Sequence, residues 1–332
     1  MIKKRQYLSE FSVSLCTSNW LLVSADQLTS GGAMTPEDKE IADNCHIYII
    51  CRRPSLRFDP SSFGYADSVA TGELLYRVEG QERRIRFSRA FPLLDGATYA
   101  ALSPYPHREL RSHGPGGEVV RYLPASALSF GQGHHLTRPE LANLEVLYVG
   151  QAFAAGNRSA FERLQNHSTL QRILAEASYN YPDDEILVAM FKYEPYRVVT
   201  LFDGAAEDVI NDHRDAGRFI SIMKHPLKQS QQVSLAEAAL IRYFGPKYNK
   251  VYKASFPSTK QRVLESCYKL DFSGLSVEID TEDLRFRLYS DKAKAALHHI
   301  CNVDLLSKTD RAGFFFFTRP DGGLAQSAPT IG

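Results

Sequence analysis

The chain has 332 residues, of which 44% are hydrophobic and 23% charged, with a formal net charge of +1. This is the make-up of an ordinary globular protein, long enough for two domains or for one core with substantial additions. No apolar run approaches the roughly 18 residues of a membrane span. Near the start the longest apolar run is Leu21-Leu22-Val23 after Trp20, too short for a signal-peptide core. Five cysteines (Cys16, Cys45, Cys51, Cys267 and Cys301) form no CxxC pair. That odd set supports neither a disulfide framework nor a zinc ribbon and points to reduced thiols in a cytoplasmic protein.

Residues 1 to 110 read as a β-rich N-terminal domain of unknown role. Phe11-Ser12-Val13-Ser14-Leu15 alternates, His46 to Ile50 is a short apolar run, and Arg84-Ile85-Arg86-Phe87 alternates again. Gly31-Gly32 and Pro60-Ser61-Ser62 punctuate these runs. A Pro/Gly/His-rich stretch, Ser103 to Gly117, reads as a linker. Leu144 to Val149 is strand-like, and Ser159-Ala160-Phe161-Glu162 is a capping box that opens a helix carrying Arg163 and His167. A second helix start falls at Ser168, with apolar Leu170, Ile173, Leu174 and Ala177 at helical spacing. Strands are expected at Ile186 to Phe191 and at Val198 to Phe202. Ser234 to Glu237 then reads as the capped start of a helix stopped by Gly245-Pro246. The segment 261–318 reads as a small α+β extension, with strands near Leu275 to Ile279 and Leu284 to Leu288, a helix from Asp291 to Ile300, and a last strand at Phe314 to Phe317. The Pro/Gly/Ser-rich residues 319–332 read as a disordered tail.

Charge is strongly segregated. From Arg218 to Arg262 there are nine basic residues against one acid, Glu237, a net of +8. From Asp183 to Asp215 the balance reverses, with nine acids against Lys192, Arg197 and Arg214. A basic stretch around a single carboxylate suits a surface that attracts a polyanion and holds one metal ion against it. Arg163 and His167 lie one turn apart on one helix face and can enter a cleft together. Glu237 sits on a helix that is apolar almost all round, where a buried carboxylate needs a partner or a metal. The histidines and cysteines elsewhere (His113, His134-His135, Cys45-His46, His298-His299 with Cys301) lack metal-ligand spacing. No Walker loop, full GxGxxG or G-x-S-x-G elbow is present.

Taken together, these pieces resemble the GIY-YIG nuclease superfamily. Tyr148-Val149-Gly150 is similar to its second signature triplet, and Arg163-Leu164 followed by His167 to its R-L-x-x-H helix. Glu237, with Pro246-Lys247-Tyr248-Asn249 ending twelve residues later, resembles the glutamate and asparagine that close the motif. Val120-Arg121-Tyr122 is the best candidate for the first triplet, with Leu123 to Asn143 as an insertion between the two strands. The resemblance implies an α+β fold, a small mixed sheet flanked by helices, in a nuclease domain at 111–260 with its core at 118–252.

The resemblance also implies a one-metal endonuclease acting on DNA, in a setting such as restriction or phage defence. Glu237 would hold one Mg²⁺ or Mn²⁺. Arg163 would clamp the scissile phosphate. Tyr148 or Tyr122 would position the attacking water, His167 would shuttle a proton, and Asn249 would fix a strand or loop near the metal. Lys224, Lys228, Arg242, Lys247, Lys250 and Lys253 would contact the nucleic-acid backbone. The rival readings are a non-catalytic nucleic-acid-binding or assembly module that keeps the fold, and a ribonuclease.

Overall fold

A computed structural model of the chain describes residues 3–29, 35–129, 138–152 and 168–331. It is an α+β protein with several sheets and few helices. A five-stranded sheet forms its centre, in the order Arg287–Tyr289, Asn143–Gln151, Ile47–Pro54, Asp184–Tyr193, Thr17–Ser24. Arg287–Tyr289 runs parallel to its neighbour, and the other pairings are antiparallel. A second sheet orders Arg197–Phe202, Ser9–Leu15, Gly274–Asp280 and His298–Asp304.

Ile47–Pro54 is a near-continuous apolar run because it is covered on both faces. Ile47, Ile49 and Cys51 enter one core, while Tyr48 and Ile50 enter the other. The first core contains the Gln229–Phe244 helix, which packs against strands of both sheets. That placement explains a helix apolar on nearly every side. The Ser168–Asn180 helix covers the opposite face through Leu170, Ile173 and Ala177. No helix among the described residues is long and apolar enough to cross a membrane, and all five thiols are free.

The expected boundaries cut through these sheets. Ser9–Leu15, Thr17–Ser24 and Ile47–Pro54 belong to the same two sheets as the later strands, so residues 1–110 are not a separate unit. The β-rich part that does separate is an insertion between Pro54 and Asn143. It holds the Val69–Val78/Gln81–Ala90 hairpin, the three-stranded sheet Val119–Pro124, Glu109–His113, Tyr99–Leu102, and its own core around Phe58, Leu74, Tyr76 and Phe91. The expected linker, Ser103 to Gly117, carries the middle strand of that sheet. The C-terminal segment likewise supplies strands to both main sheets rather than standing apart.

Two further expectations are corrected. The expected helix from Asp291 to Ile300 is a bend followed by the strand His298–Asp304. Its Lys/Ala-rich beginning reads as helix, yet His299, Cys301 and Val303 alternate into the core with period two. The tail is packed: Leu324–Gln326 pairs with Phe316–Thr318, and the N–H groups of Ile331 and Asp304 bond across to Asn302 and Ile331 carbonyls.

Candidate active site

The site grows from one strand pair. Asn143–Gln151 lies antiparallel to Ile47–Pro54, with Tyr148 opposite Ile50, Val149 opposite Ile49 and Gly150 opposite Tyr48. The register shifts between Val146 and Tyr148, so Leu147 is the extra residue of a β-bulge. An extra residue in a period-two strand exchanges its faces. Leu144 and Val146 point into the first core, and so does Val149, whereas Leu147 and Tyr148 turn to the second. Without the bulge, Tyr148 would sit under the Gln229–Phe244 helix, away from Tyr48.

Tyr48 has no exposed surface, and its ring lies across Gly150. A Cβ at that glycine would fall 2.5 Å from Tyr48 Cζ and 2.6 Å from its Oη. The third residue of the Tyr148-Val149-Gly150 triplet is therefore glycine because a phenol from the neighbouring strand occupies the side-chain space. The Tyr48 and Tyr148 ring centroids are 6.1 Å apart.

Tyr48 is the residue that sequence reasoning missed. His46-Ile47-Tyr48 precedes Tyr148 by a hundred residues, and the whole insertion intervenes. Its only local mark is an isoleucine-tyrosine pair inside the apolar run His46 to Ile50. Tyr122, the candidate read from the sequence, is instead on Val119–Pro124, paired with Glu109–His113 in the insertion's sheet. It is not on a strand adjoining Tyr148.

Asn249 completes the strand. Arg287–Tyr289 pairs only with residues 143–145, so the outer edge of the strand beyond Glu145 needs other partners. Asn249 Oδ1 accepts from the Val149 N–H at 2.9 Å, and its Nδ2 donates to the Val149 carbonyl at 2.8 Å. The Tyr248 N–H donates to the Leu147 carbonyl. The side-chain amide thus copies one rung of a β-ladder and locks the backbone between Tyr148 and Gly150. The Tyr248 phenol donates to Glu176 at 2.6 Å; burial and that carboxylate push its pKa up to about 12.

Glu237 approaches from the helix side. The helix begins at Gln229, five residues before the expected start at Ser234, so Glu237 lies well inside it and has no capping duty. Gln151, at the end of the Tyr148 strand, donates from Nε2 to Glu237 Oε2 at 2.8 Å, while its Oε1 lies 3.3 Å from Ser234 Oγ. The carboxylate is half-buried, and its charge reaches Tyr252, whose phenol is pushed up first by burial and then by Glu237. His46, two residues before Tyr48, has Nε2 2.8 Å from Gln229 Nε2; burial, then Lys192, lowers its pKa.

Arg163 and His167 lie outside the described residues. The basic residues divide into groups. Lys224 and Lys228 are exposed before the Gln229–Phe244 helix, and Lys247 and Lys250 are exposed after it. Sixteen helical residues separate the two pairs by about 24 Å at 1.5 Å per residue. Arg242 and Lys253 are half-buried and donate to the Lys253 and Pro246 carbonyls, so they serve the local backbone and not an open surface. Arg218, at the edge of the basic stretch, pairs internally with Asp215, Asp271 and Glu10.

Among the described residues no three His, Cys, Asp or Glu side chains gather in one place. Near Glu237 the one anionic oxygen donor among the described residues is its own carboxylate, which is hard enough to suit a single Mg²⁺ or Mn²⁺ that keeps most of its water. Comparison with family models, curated proteins and solved structures gave no match.

Proposed function

We propose that this chain is a metal-dependent endonuclease that hydrolyses DNA phosphodiester bonds by a one-metal, GIY-YIG-type mechanism. The supporting observation is the Tyr48 ring seated on Gly150 beside Tyr148, on the same strand whose Gln151 holds Glu237. Glu237 would hold the divalent ion, which supplies charge neutralisation at the phosphate and the departing oxygen. The two phenols would orient the attacking water, one of them taking part in its deprotonation. Arg163 would clamp the phosphate with its fork of donors, and His167 would carry a proton. Gln151 and Asn249 act as positioning residues, one aiming the carboxylate and the other fixing the strand. The exposed pairs Lys224/Lys228 and Lys247/Lys250, on either side of Glu237, would hold the backbone of the duplex.

A plasmid assay tests this reading. The expected result is nicking of supercoiled DNA in Mg²⁺, none in EDTA, and none with Glu237→Gln although that protein still shifts DNA in a gel. Parent protein that binds DNA yet cuts nothing in Mg²⁺ or Mn²⁺ would favour a non-catalytic binding module. Cleavage of RNA alone would move the substrate class.

A further inference from the structure

Arg197–Phe202 ends the second sheet, paired with Ser9–Leu15 on one side and with no strand of the described residues on the other. Backbone groups of an antiparallel strand point alternately toward a neighbour and away from it. The Asp203 N–H donates to the Leu8 carbonyl, and the Ser273 N–H to the Phe11 carbonyl on the far side of Ser9–Leu15, which fixes the alternation. Val198, Thr200 and Phe202 therefore turn their N–H and C=O groups out of the sheet, where no partner among the described residues meets them. No residue from Val198 to Phe202 is charged. The long edge strand of the insertion, Gln81–Ala90, differs: it carries Arg83, Arg84, Arg86 and Arg89, the kind of charge that keeps an open edge from pairing.

An apolar helix flank lies beside this edge. The His213–Lys224 helix packs on the same sheet: Asp215 accepts from the Ser9 N–H at 3.1 Å, and the Phe219 and Phe11 ring centroids are 5.9 Å apart. Past its end, the Leu227 N–H donates to the Tyr196 phenol at 3.2 Å. Ser9 lies opposite Phe202 and Phe11 opposite Thr200, so the helix runs antiparallel alongside Arg197–Phe202. Arg218 leaves one flank of the helix for Asp271, ahead of Gly274–Asp280. The other flank, toward Arg197–Phe202, holds Phe219 and Met223, and every exposed residue from Ala216 to Met223 is uncharged. A surface helix ordinarily keeps its charges on that outward side.

We infer that this face joins a second copy of the chain, strand edge to strand edge around a two-fold axis at Thr200. In that register Val198 opposes the partner's Phe202 and Thr200 opposes the partner's Thr200, so each outward N–H meets an outward carbonyl. A two-fold contact requires a surface that complements itself. This edge does so: its free groups are symmetric about Thr200, and it brings no like charges together. The axis also sets both helices on one face of the joined sheet, with their apolar flanks turned to each other. Phe202 is 71% exposed, Met223 61%, Ile220 50%, Phe219 44% and, on the reverse face, Val199 41%. At about 200 Å² per side chain this is roughly 500 Å² of apolar surface per copy, the size at which an exposed patch marks an interaction site. Two copies give about 1,000 Å² before the strand backbone is counted, which reaches the lower bound for a specific interface.

Sedimentation equilibrium of the full chain at about 1–300 µM tests this. The mass should rise with concentration from 37.3 kDa toward twice that value and stop there, because a two-fold contact closes. Phe202→Lys and Met223→Lys, both at exposed positions, should weaken association about tenfold or more with unfolding midpoints kept. Tyr105→Lys, at an 80% exposed position in the insertion, should change nothing. On mild oxidation Thr200→Cys should form a disulfide between copies beyond the parent's level, since opposed Cα atoms lie about 5.5 Å apart; Val199→Cys, one step off the axis, should not. A mass of 37.3 kDa throughout overturns the inference and leaves the face to a different protein. A dimer indifferent to Phe202→Lys, or one that does not cross-link through Thr200→Cys, overturns it too, as does assembly past the dimer. Neither metal nor DNA takes part, so none of these results bears on the nuclease reading.

Discussion

Replacing Gly150 with alanine puts a methyl group 2.5 Å from Tyr48 Cζ, 2.6 Å from its Oη and 2.8 Å from Tyr148 Cε1. Nonbonded carbons prefer about 3.5–4.0 Å, so roughly 1 Å must be recovered. Tyr48 has no exposed surface and no free direction to swing, and Gly150 is held in register opposite it. Overpacking of this kind costs about 1–3 kcal/mol, a large share of the roughly 5–15 kcal/mol that stabilises a typical domain. Tyr48→Ala alone should cost about 3–5 kcal/mol through the cavity it leaves. In the double variant the clash with Tyr48 is gone and only the 2.8 Å approach to Tyr148 remains, so the two costs should fall short of their sum by about 1 kcal/mol or more. Urea unfolding of the four proteins measures this coupling. Additive costs, within about 0.5 kcal/mol, would refute the placement of the ring over Gly150.

Asn249→Ala strips two buried backbone groups of Val149 of their partners, and should cost about 2–6 kcal/mol at about 1–3 kcal/mol per group, read from unfolding midpoints. Asn249→Asp, which keeps only the acceptor, should fall between alanine and the parent. Glu10→Gln should cost about 1–3 kcal/mol, because this buried carboxylate accepts from Arg218 and Arg311, which keep Asp215 and Asp271 as partners; a shift under about 0.5 kcal/mol would contradict that network. Burial lowers the folded-state pKa of both His46 and His299 below the ordinary 6.5. The unfolded chain then binds more protons as pH drops, so their contribution is complete above about 6.5 and declines as pH falls toward the folded values. Unfolding free energies at pH 7.5 and 5.5 check the sign, and His299→Gln should reduce the difference.

Local patterns predicted most strands and the Ser168–Asn180 helix, because alternation and capping act over a few residues. Tyr148, Gly150, Glu237 and Asn249 were legible for a similar reason, since each carries a local spacing. Tyr48 was not, because the residues between the two strands fold around their own core and leave no trace of the pairing in the sequence. The start of the Glu237 helix was misread at Ser234. There the hydroxyl donates back to the Ser230 carbonyl within the helix instead of capping a start. The basic stretch looked uncompensated because Arg218 finds its acids at Glu10 and Asp271, far away in the chain. Long-range pairing of charges and strands is invisible to a window of ten residues.

The most direct measurement is the single-turnover cleavage rate of Tyr48→Phe on a DNA oligonucleotide in Mg²⁺, alongside its affinity for that DNA. The account predicts a rate reduced about 100-fold or more, as expected when a group that takes part in proton transfer is lost, with affinity close to the parent's. A Tyr48→Phe protein that cuts at the parent's rate would contradict it.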